Sequence, residues 1–89
     1  GAVSQQVVEE MARGAVSAFN STCAIAVSGI AGPSGGSDEK PVGTVWIATI
    51  HNGKIVSKRY QFGKLRENNI RRSAVMGIAQ LLTMLLHGD

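Results

Sequence analysis

Ser28-Gly29-Ile30-Ala31-Gly32-Pro33-Ser34-Gly35-Gly36-Ser37-Asp38-Glu39-Lys40-Pro41-Val42-Gly43-Thr44 is the stretch on which the reading of this chain turns. It carries five glycines and both prolines, and it separates two apolar runs, Cys23 to Val27 and Thr44 to Ile50. Glycine concentrates where a Cβ cannot be tolerated or where φ must be positive. Between two strand-like runs, such a concentration reads as a shaped binding loop.

Working outward, Cys-Ala-Ile-Ala-Val at 23–27 is apolar on both alternating sets, which predicts a strand buried on both faces. Thr44 to Ile50 has the same character and reads as a central strand. Asn52-Gly53 then supplies a type I′ hairpin signal. The next run, Lys54 to Phe62, alternates: Ile55, Ser57, Arg59 and Gln61 lie on one side, and Val56, Lys58, Tyr60 and Phe62 on the other. This is the pattern of an edge strand with one half-wet face.

Upstream, Val7, Val8, Met11, Ala12, Ala15 and Phe19 recur at spacings of three and four. Ser4 is placed to cap a helix over Gln5 to Phe19. Downstream, Ile70, Ala74, Ile78, Leu81, Leu82 and Leu85 form a stripe over Arg66 to Leu86, widened by Met76, Ala79 and Met84, which predicts a long, heavily buried helix. The order is therefore helix, strand, strand, strand, helix in an α/β fold, with the strands as an antiparallel meander. The first strand lacks a second neighbour, so upstream sequence or another subunit is expected to complete the sheet beside Cys23 to Val27.

Eighty-nine residues make one small domain that buries only about two thirds of its extended surface, so stability is expected to be marginal. A chain that opens at Gly1 within a few residues of a helix pattern is expected to be a segment of a longer polypeptide. Net charge is +3, and of nine basic residues only Arg13 precedes Lys40. The second half is thus either a solvated basic face or a site for phosphate or another small anion. Aromatic content of 4% and the absence of a recognition motif argue against nucleic acid as a partner. The single cysteine, Cys23, reads as a small buried hydrophobe in a reducing compartment. With no signal-peptide pattern and no apolar run of membrane-spanning length, a soluble, cytoplasmic protein without membrane contact is expected.

Several residues carry candidate chemistry. Ser28 ends the first strand where the loop begins, the end at which open α/β sheets place ligands, and its hydroxyl either donates to an oxyanion or satisfies the turn. Gly29, Gly32 and Gly35 follow a three-residue spacing that is neither a Walker A motif nor a dinucleotide fingerprint; with Gly36 and Gly43 they allow close approach of a ligand. Lys40, between Glu39 and Pro41, is a phosphate-neutralising charge or half of an exposed Glu-Lys pair. Thr44 begins the central strand opposite the end of the first, so Ser28 and Thr44 can face one ligand. Arg71 and Arg72 fall near the first turn of the last helix, where a cation is disfavoured unless an anion is present. His51 and His87 have no ligand partners at metal spacing, and neither a Ser-His-Asp nor an activated Cys-His set can be assembled. The residues describe a small-anion or nucleotide-binding unit without a catalytic engine and without a cofactor or metal.

The run Ala26 to Trp46, Ala-Val-Ser-Gly-Ile-Ala-Gly-Pro-Ser-Gly-Gly-Ser-Asp-Glu-Lys-Pro-Val-Gly-Thr-Val-Trp, resembles the signature of the CinA C-terminal domain, a family of nicotinamide-nucleotide amidases. Gly1-Ala2-Val3-Ser4 before a helix and the late Arg71-Arg72 match it in order. The resemblance implies a three-layer α/β/α sandwich with a mixed five-stranded sheet, of which residues 1–89 supply the C-terminal part. It implies deamidation of nicotinamide mononucleotide to nicotinate mononucleotide in pyridine-nucleotide salvage. The family's nucleophilic hydroxyl, in a Glu-Ser-Cys-Thr-Gly-Gly type motif, and its lysine, in a Tyr-Ser-Asn-x-x-Lys type motif, lie upstream of Gly1, so no catalytic residue is expected on this chain. By resemblance the chain is the substrate-cradling part, inactive alone, with Ser28, Gly29, Gly32 and the loop to Thr44 around the nucleotide and Arg71 or Arg72 on its phosphate. A non-catalytic nucleotide-binding or protein-interaction module of a competence or damage-inducible protein is the alternative. The unpaired strand and Leu-rich last helix favour a homo-oligomer or pairing with the upstream half.

Overall fold

The computed structural model describes residues 3–29, 42–63 and 66–87. Helix α1 (Gln5–Phe19) begins at Ser4, whose backbone is extended and whose Oγ accepts the Val7 N–H at 3.2 Å, as expected for an N-cap. It ends at Asn20, which takes the left-handed conformation at φ 49°, and the Ser21 N–H then donates to the Val16 carbonyl. Strand β1 (Cys23–Gly29) follows directly, so α1 and β1 run antiparallel.

Strands β2 (Thr44–His51) and β3 (Lys54–Gln61) close a three-stranded antiparallel sheet in the order β1-β2-β3. Asn52 and Gly53 link them with φ of 49° and 83°. Positive φ at both central residues is the type I′ requirement that Asn-Gly meets at least strain. The register pairs Val27 with Ile47 and Ile47 with Lys58, which fixes the facing of every side chain in the sheet.

Even-numbered residues of β1 and β2 face α1. Val8 and Ala12 are fully buried against Ala26, Ala48 and Ile50, with Val16, Ala24, Trp46 and Ile55 at the margin. Each fully buried Val or Ile here contributes roughly 1.5–3 kcal/mol. Odd-numbered residues of β1 and β2 face helix α2 (Arg66–His87) on the opposite side, giving three layers, helix on sheet on helix.

The α2 interface departs from the predicted one. The face of α2 turned to the sheet carries Asn69, Ser73, Gly77, Gln80 and Met84, all buried. The stripe Ile70, Ala74, Ile78, Leu82 and Leu85 is exposed, with Ile70 and Ile78 each 54% accessible and Leu81 half-buried. Two local causes fix this rotation. The Gln80 amide donates from Nε2 to the carbonyls of Ile47 and Val56, at 3.1 and 2.9 Å, and to Thr49 Oγ1. Its Oε1 accepts the Tyr60 hydroxyl at 2.8 Å, while the Thr49 hydroxyl lies 3.1 Å from Met84 Sδ. These bonds anchor a polar ridge that apolar periodicity ignores. Gly77, in turn, lets the helix approach so closely that a Cβ there would stand 2.8 Å from Ile25 Cγ2.

The apolar stripe lies about 100° further round the helix, beyond the edge of β1. Expected burial of β1 on both faces fails for the same reason: Ile25 and Val27, on the α2 side, are 38% and 37% exposed. Of the three described strands only β2 is enclosed on both faces, and its one half-buried interior residue is Trp46.

Candidate functional site

Four of the expected site residues meet where β1 ends and β2 begins. Gly29 pairs with Val45, and a Cβ at Gly29 would come within 2.8 Å of Val45 Cγ2 and 3.0 Å of the Thr44 carbonyl. Gly43 has φ of 90°, and a Cβ there would lie 2.2 Å from the Phe62 carbonyl oxygen. Its own carbonyl accepts the Phe62 N–H at 2.8 Å. Glycine at 43 is therefore what allows the chain entering β2 to be tied to the chain leaving β3. Thr44 is buried and its hydroxyl donates to Gln61 Oε1 at 2.9 Å, while Gln61 Nε2 donates to the Val42 carbonyl. Gly32, Gly35, Gly36 and Lys40 lie outside the described residues.

On the α1 face, the register lines up Ser28, Trp46 and Arg59 in one row across the three strands, with Thr44 and Gln61 in the next row toward the loop. Ser28 and Trp46 are half-buried and Arg59 is exposed. Sequence reasoning placed Ser28 and Thr44 toward one ligand, and the two share this face. It gave Arg59 and Trp46 no role, although the alternation Ile55, Ser57, Arg59, Gln61 already put Arg59 on the wetter side.

One row further in, α1 is fastened to β3 by a polar cluster. Ser57 Oγ donates to Glu9 Oε2, and Gln5 Nε2 donates both to Glu9 Oε2 and to Ser57 Oγ, the latter at 3.0 Å. Arg13 adds an ion pair to Glu9 Oε1 at 3.7 Å. The Ser57 hydrogen bond, chiefly, holds the Glu9 carboxyl below its ordinary value of 4.5, outweighing the opposing effect of burial.

The α2 side holds two further depressions. A hollow of about 300 Å³ lies between the end of β1 and α2, lined by Val27, Gly29, Val45, Ile70 and Ala74 among others. A trough of about 350 Å³ on the other flank of α2 contains Arg71 and Arg72 with Phe62, Val75 and Met76. The Phe62 ring stacks on Tyr60 with centroids 5.5 Å apart, and burial pushes the Tyr60 phenol above its ordinary range. The structure thus brings Ser28, Gly29, Gly43 and Thr44 together and sets Arg71 and Arg72 apart from them, across α2. Among the described residues no group of three or more His, Cys, Asp or Glu could hold a metal ion, and no helix is long and apolar enough to cross a membrane.

Residues 1–85 match the family model described as the CinA C-terminal domain. The chain belongs to the CinA C-terminal domain family. Among CinA relatives, the nicotinamide-nucleotide amidohydrolase PncC of Pseudomonas putida is 49% identical over 84 residues, which cover 94% of this chain and 52% of that protein. A CinA-like protein of Fervidobacterium nodosum is 49% identical over 81 residues, covering 91% of this chain and 20% of its own length. The crystal structure of the competence damage-inducible protein A from Klebsiella pneumoniae subsp. pneumoniae MGH 78578 superposes with a TM-score of 0.90 at 39% identity, covering 99% of this chain and 55% of that one. The chain spans about half the length of the PncC relative, and a fifth of the CinA-like one.

Proposed function

We propose that this chain is the nucleotide-cradling wall of a nicotinamide-nucleotide amidohydrolase, residues 1–89 being the C-terminal part of one CinA domain. The observation that carries this reading is the likeness to PncC, which runs through nearly all of the chain yet accounts for only 52% of that protein. The exposed stripe of α2 and the outer edge of β1 give the remaining half a place to pack. That edge carries no charged side chain from Cys23 to Gly29, whereas β3 at the opposite edge carries Lys54, Lys58 and Arg59. Charged side chains are the common guard against edge pairing, so the unguarded edge is the one that accepts a strand.

In this reading the nucleophilic hydroxyl and its activating lysine come from the complementary half. The hydroxyl attacks the amide carbon of nicotinamide mononucleotide as its proton passes to the lysine, and backbone amides hold the oxyanion. Collapse expels ammonia with that proton, and water then releases nicotinate mononucleotide from the acyl-enzyme. Ser28, Gly29, Gly43 and Thr44, with Gly32, Gly35, Gly36 and Lys40 of the loop, shape the nucleotide wall. Arg71 and Arg72 are the arginines assigned by sequence to its phosphate. Ammonia release from nicotinamide mononucleotide tests the proposal. The complete domain is expected to be active and residues 1–89 alone inactive. An inactive complete domain would overturn the amidase reading, and turnover by residues 1–89 alone would overturn the division of labour.

A further inference from the structure

Asn52 and Gly53 form the exposed tip of the β2–β3 hairpin, where a main-chain nitrogen follows directly on a side-chain carboxamide that it can attack. The nitrogen is accessible. Nothing lies within 4 Å of the place a Cβ on Gly53 would take, and among the described residues the Gly53 N–H donates no hydrogen bond. A two-residue loop leaves it outside the ladder, which His51 and Lys54 close. The Asn52 carboxamide is likewise exposed, with no hydrogen bond among the described residues.

The backbone is also close to the geometry the reaction needs. Joining the Gly53 nitrogen to Asn52 Cγ makes a succinimide ring, which brings that nitrogen level with Cβ and so sets ψ of residue 52 near about −120°. A type I′ turn has ψ of about +30° there, whereas the other two-residue hairpin turn, type II′, combines φ of about +60° with ψ of about −120°. Flipping the single peptide plane between Asn52 and Gly53 converts one turn into the other. Asn52 keeps its φ, already 49° and held by its own N–H on the Thr22 carbonyl at 2.9 Å, and Gly53 accepts either sign of φ. The hairpin therefore reaches the ring geometry with β2 and β3 still paired, at the strain of a non-glycine residue in the first position of a type II′ turn.

Asn20 supplies the contrast within the same molecule. It is exposed and has the same φ of 49°, with ψ of 45°, but the next nitrogen belongs to Ser21 and donates to the Val16 carbonyl at 3.1 Å. A flip there breaks the bond that ends α1. Asn69 is buried within α2.

We propose that Asn52 is a site of spontaneous modification, at which the hairpin tip cyclises and then opens to aspartate or isoaspartate. The Gly53 nitrogen bonds to Asn52 Cγ and gives up its proton, and the bond from Cγ to the side-chain nitrogen breaks, releasing that nitrogen as ammonia. Water then adds to either carbonyl of the imide. Cleavage of the bond from Cγ to the Gly53 nitrogen yields aspartate, which still meets the type I′ requirement in front of glycine. Cleavage of the original peptide bond leaves the chain running through Cγ as isoaspartate, with an extra methylene in a loop that has no spare length. The inference is independent of the nucleotide reading above.

The complete domain is held folded in neutral buffer while Asn52, Asn20 and Asn69 are followed by peptide mass mapping, for exchange of the amide nitrogen by oxygen, and by methyl acceptance from an isoaspartate methyltransferase. Asn52 is expected to convert at least about tenfold faster than Asn20 or Asn69, with methyl acceptance confined to position 52. Asn52→Gly keeps a turn of the same type and should accept no methyl group. If a free peptide of residues 50–55 converts while Asn52 of the folded domain stays intact, or if Asn20 keeps pace with Asn52, the proposal is overturned. The isoaspartyl form, separated by chromatography, should unfold several degrees below Asn52→Asp, which has the same atoms. Equal midpoints would overturn the effect assigned to the longer loop.

Discussion

Two helical glycines allow one substitution to be predicted with opposite signs. Gly14 lies in α1 with nothing within 4 Å of the position a Cβ would take, so Gly14→Ala gains the helix preference of alanine, about 0.5–1 kcal/mol, at no packing cost. Gly77 gains the same preference but meets Ile25 Cγ2 at 2.8 Å and Ile47 Cγ2 at 3.7 Å. The Ile25 methyl cannot swing aside freely, because the side chain branches at Cβ and its χ1 is restricted. Overpacking of this kind costs about 1–3 kcal/mol, more than the propensity gain returns. Gly77→Ala is therefore expected to destabilise by roughly 0.5–2 kcal/mol, and the two variants should bracket the wild type with midpoints several degrees apart. Thermal and urea unfolding of the complete domain, followed by circular dichroism, measures both. Ile25→Ala removes the obstructing methyl, so the cost of Gly77→Ala should shrink in that background, a coupling that a double-mutant cycle reads directly. A Gly77→Ala protein stabilised as much as Gly14→Ala would refute the close approach of α2 to β1.

Other perturbations probe the remaining joints. Gly43→Ala puts a Cβ 2.2 Å from the Phe62 carbonyl at φ 90°, and should cost at least about 2 kcal/mol in urea unfolding. Gln80→Leu strips donors from buried carbonyls and an acceptor from Tyr60, with an expected loss of about 1–3 kcal/mol; a neutral result would show that the apolar replacement packs equally well. Glu9 has a folded pKa below its unfolded value, so its contribution is present above about pH 4.5 and fades as pH falls through and below that point. Glu9→Gln should accordingly flatten the fall in unfolding midpoint between neutral and acid pH, and parallel curves for the two proteins would contradict the assigned cause.

The elements were legible from local chemistry. Ser4 and the spacing from Val7 to Phe19 placed α1, and Asn52-Gly53 placed the hairpin, because capping and φ > 0 are decided within a few residues. The orientation of α2 was not legible from its apolar stripe. Periodicity ranks faces by hydrophobicity and assumes that the most apolar one meets the core of the same chain. Here Gln80 and Gly77 choose the sheet-facing side through bonds to strand carbonyls and through close approach, neither of which leaves a periodic trace. At the candidate site, Ser28 and Thr44 were readable as the two ends of one loop. Arg59 was not, because its place in one row with Ser28, on the far side of Trp46, depends on two successive strand registers, and register is a property of the assembled sheet.

The type I′ turn at Asn52-Gly53 therefore acts at a distance. It leaves β3 no freedom to slide, and Arg59 stands about 20 Å along the strand from it. A slip of a single residue would bring Lys58 or Tyr60 opposite Trp46 and carry the guanidinium through to the α2 side of the sheet. Two residues remote from any ligand thus work as the gauge that decides which β3 side chain shares a row with Ser28 and Trp46, and a one-residue insertion between β2 and β3 would exchange Arg59 for a neighbour there without altering any residue of the row.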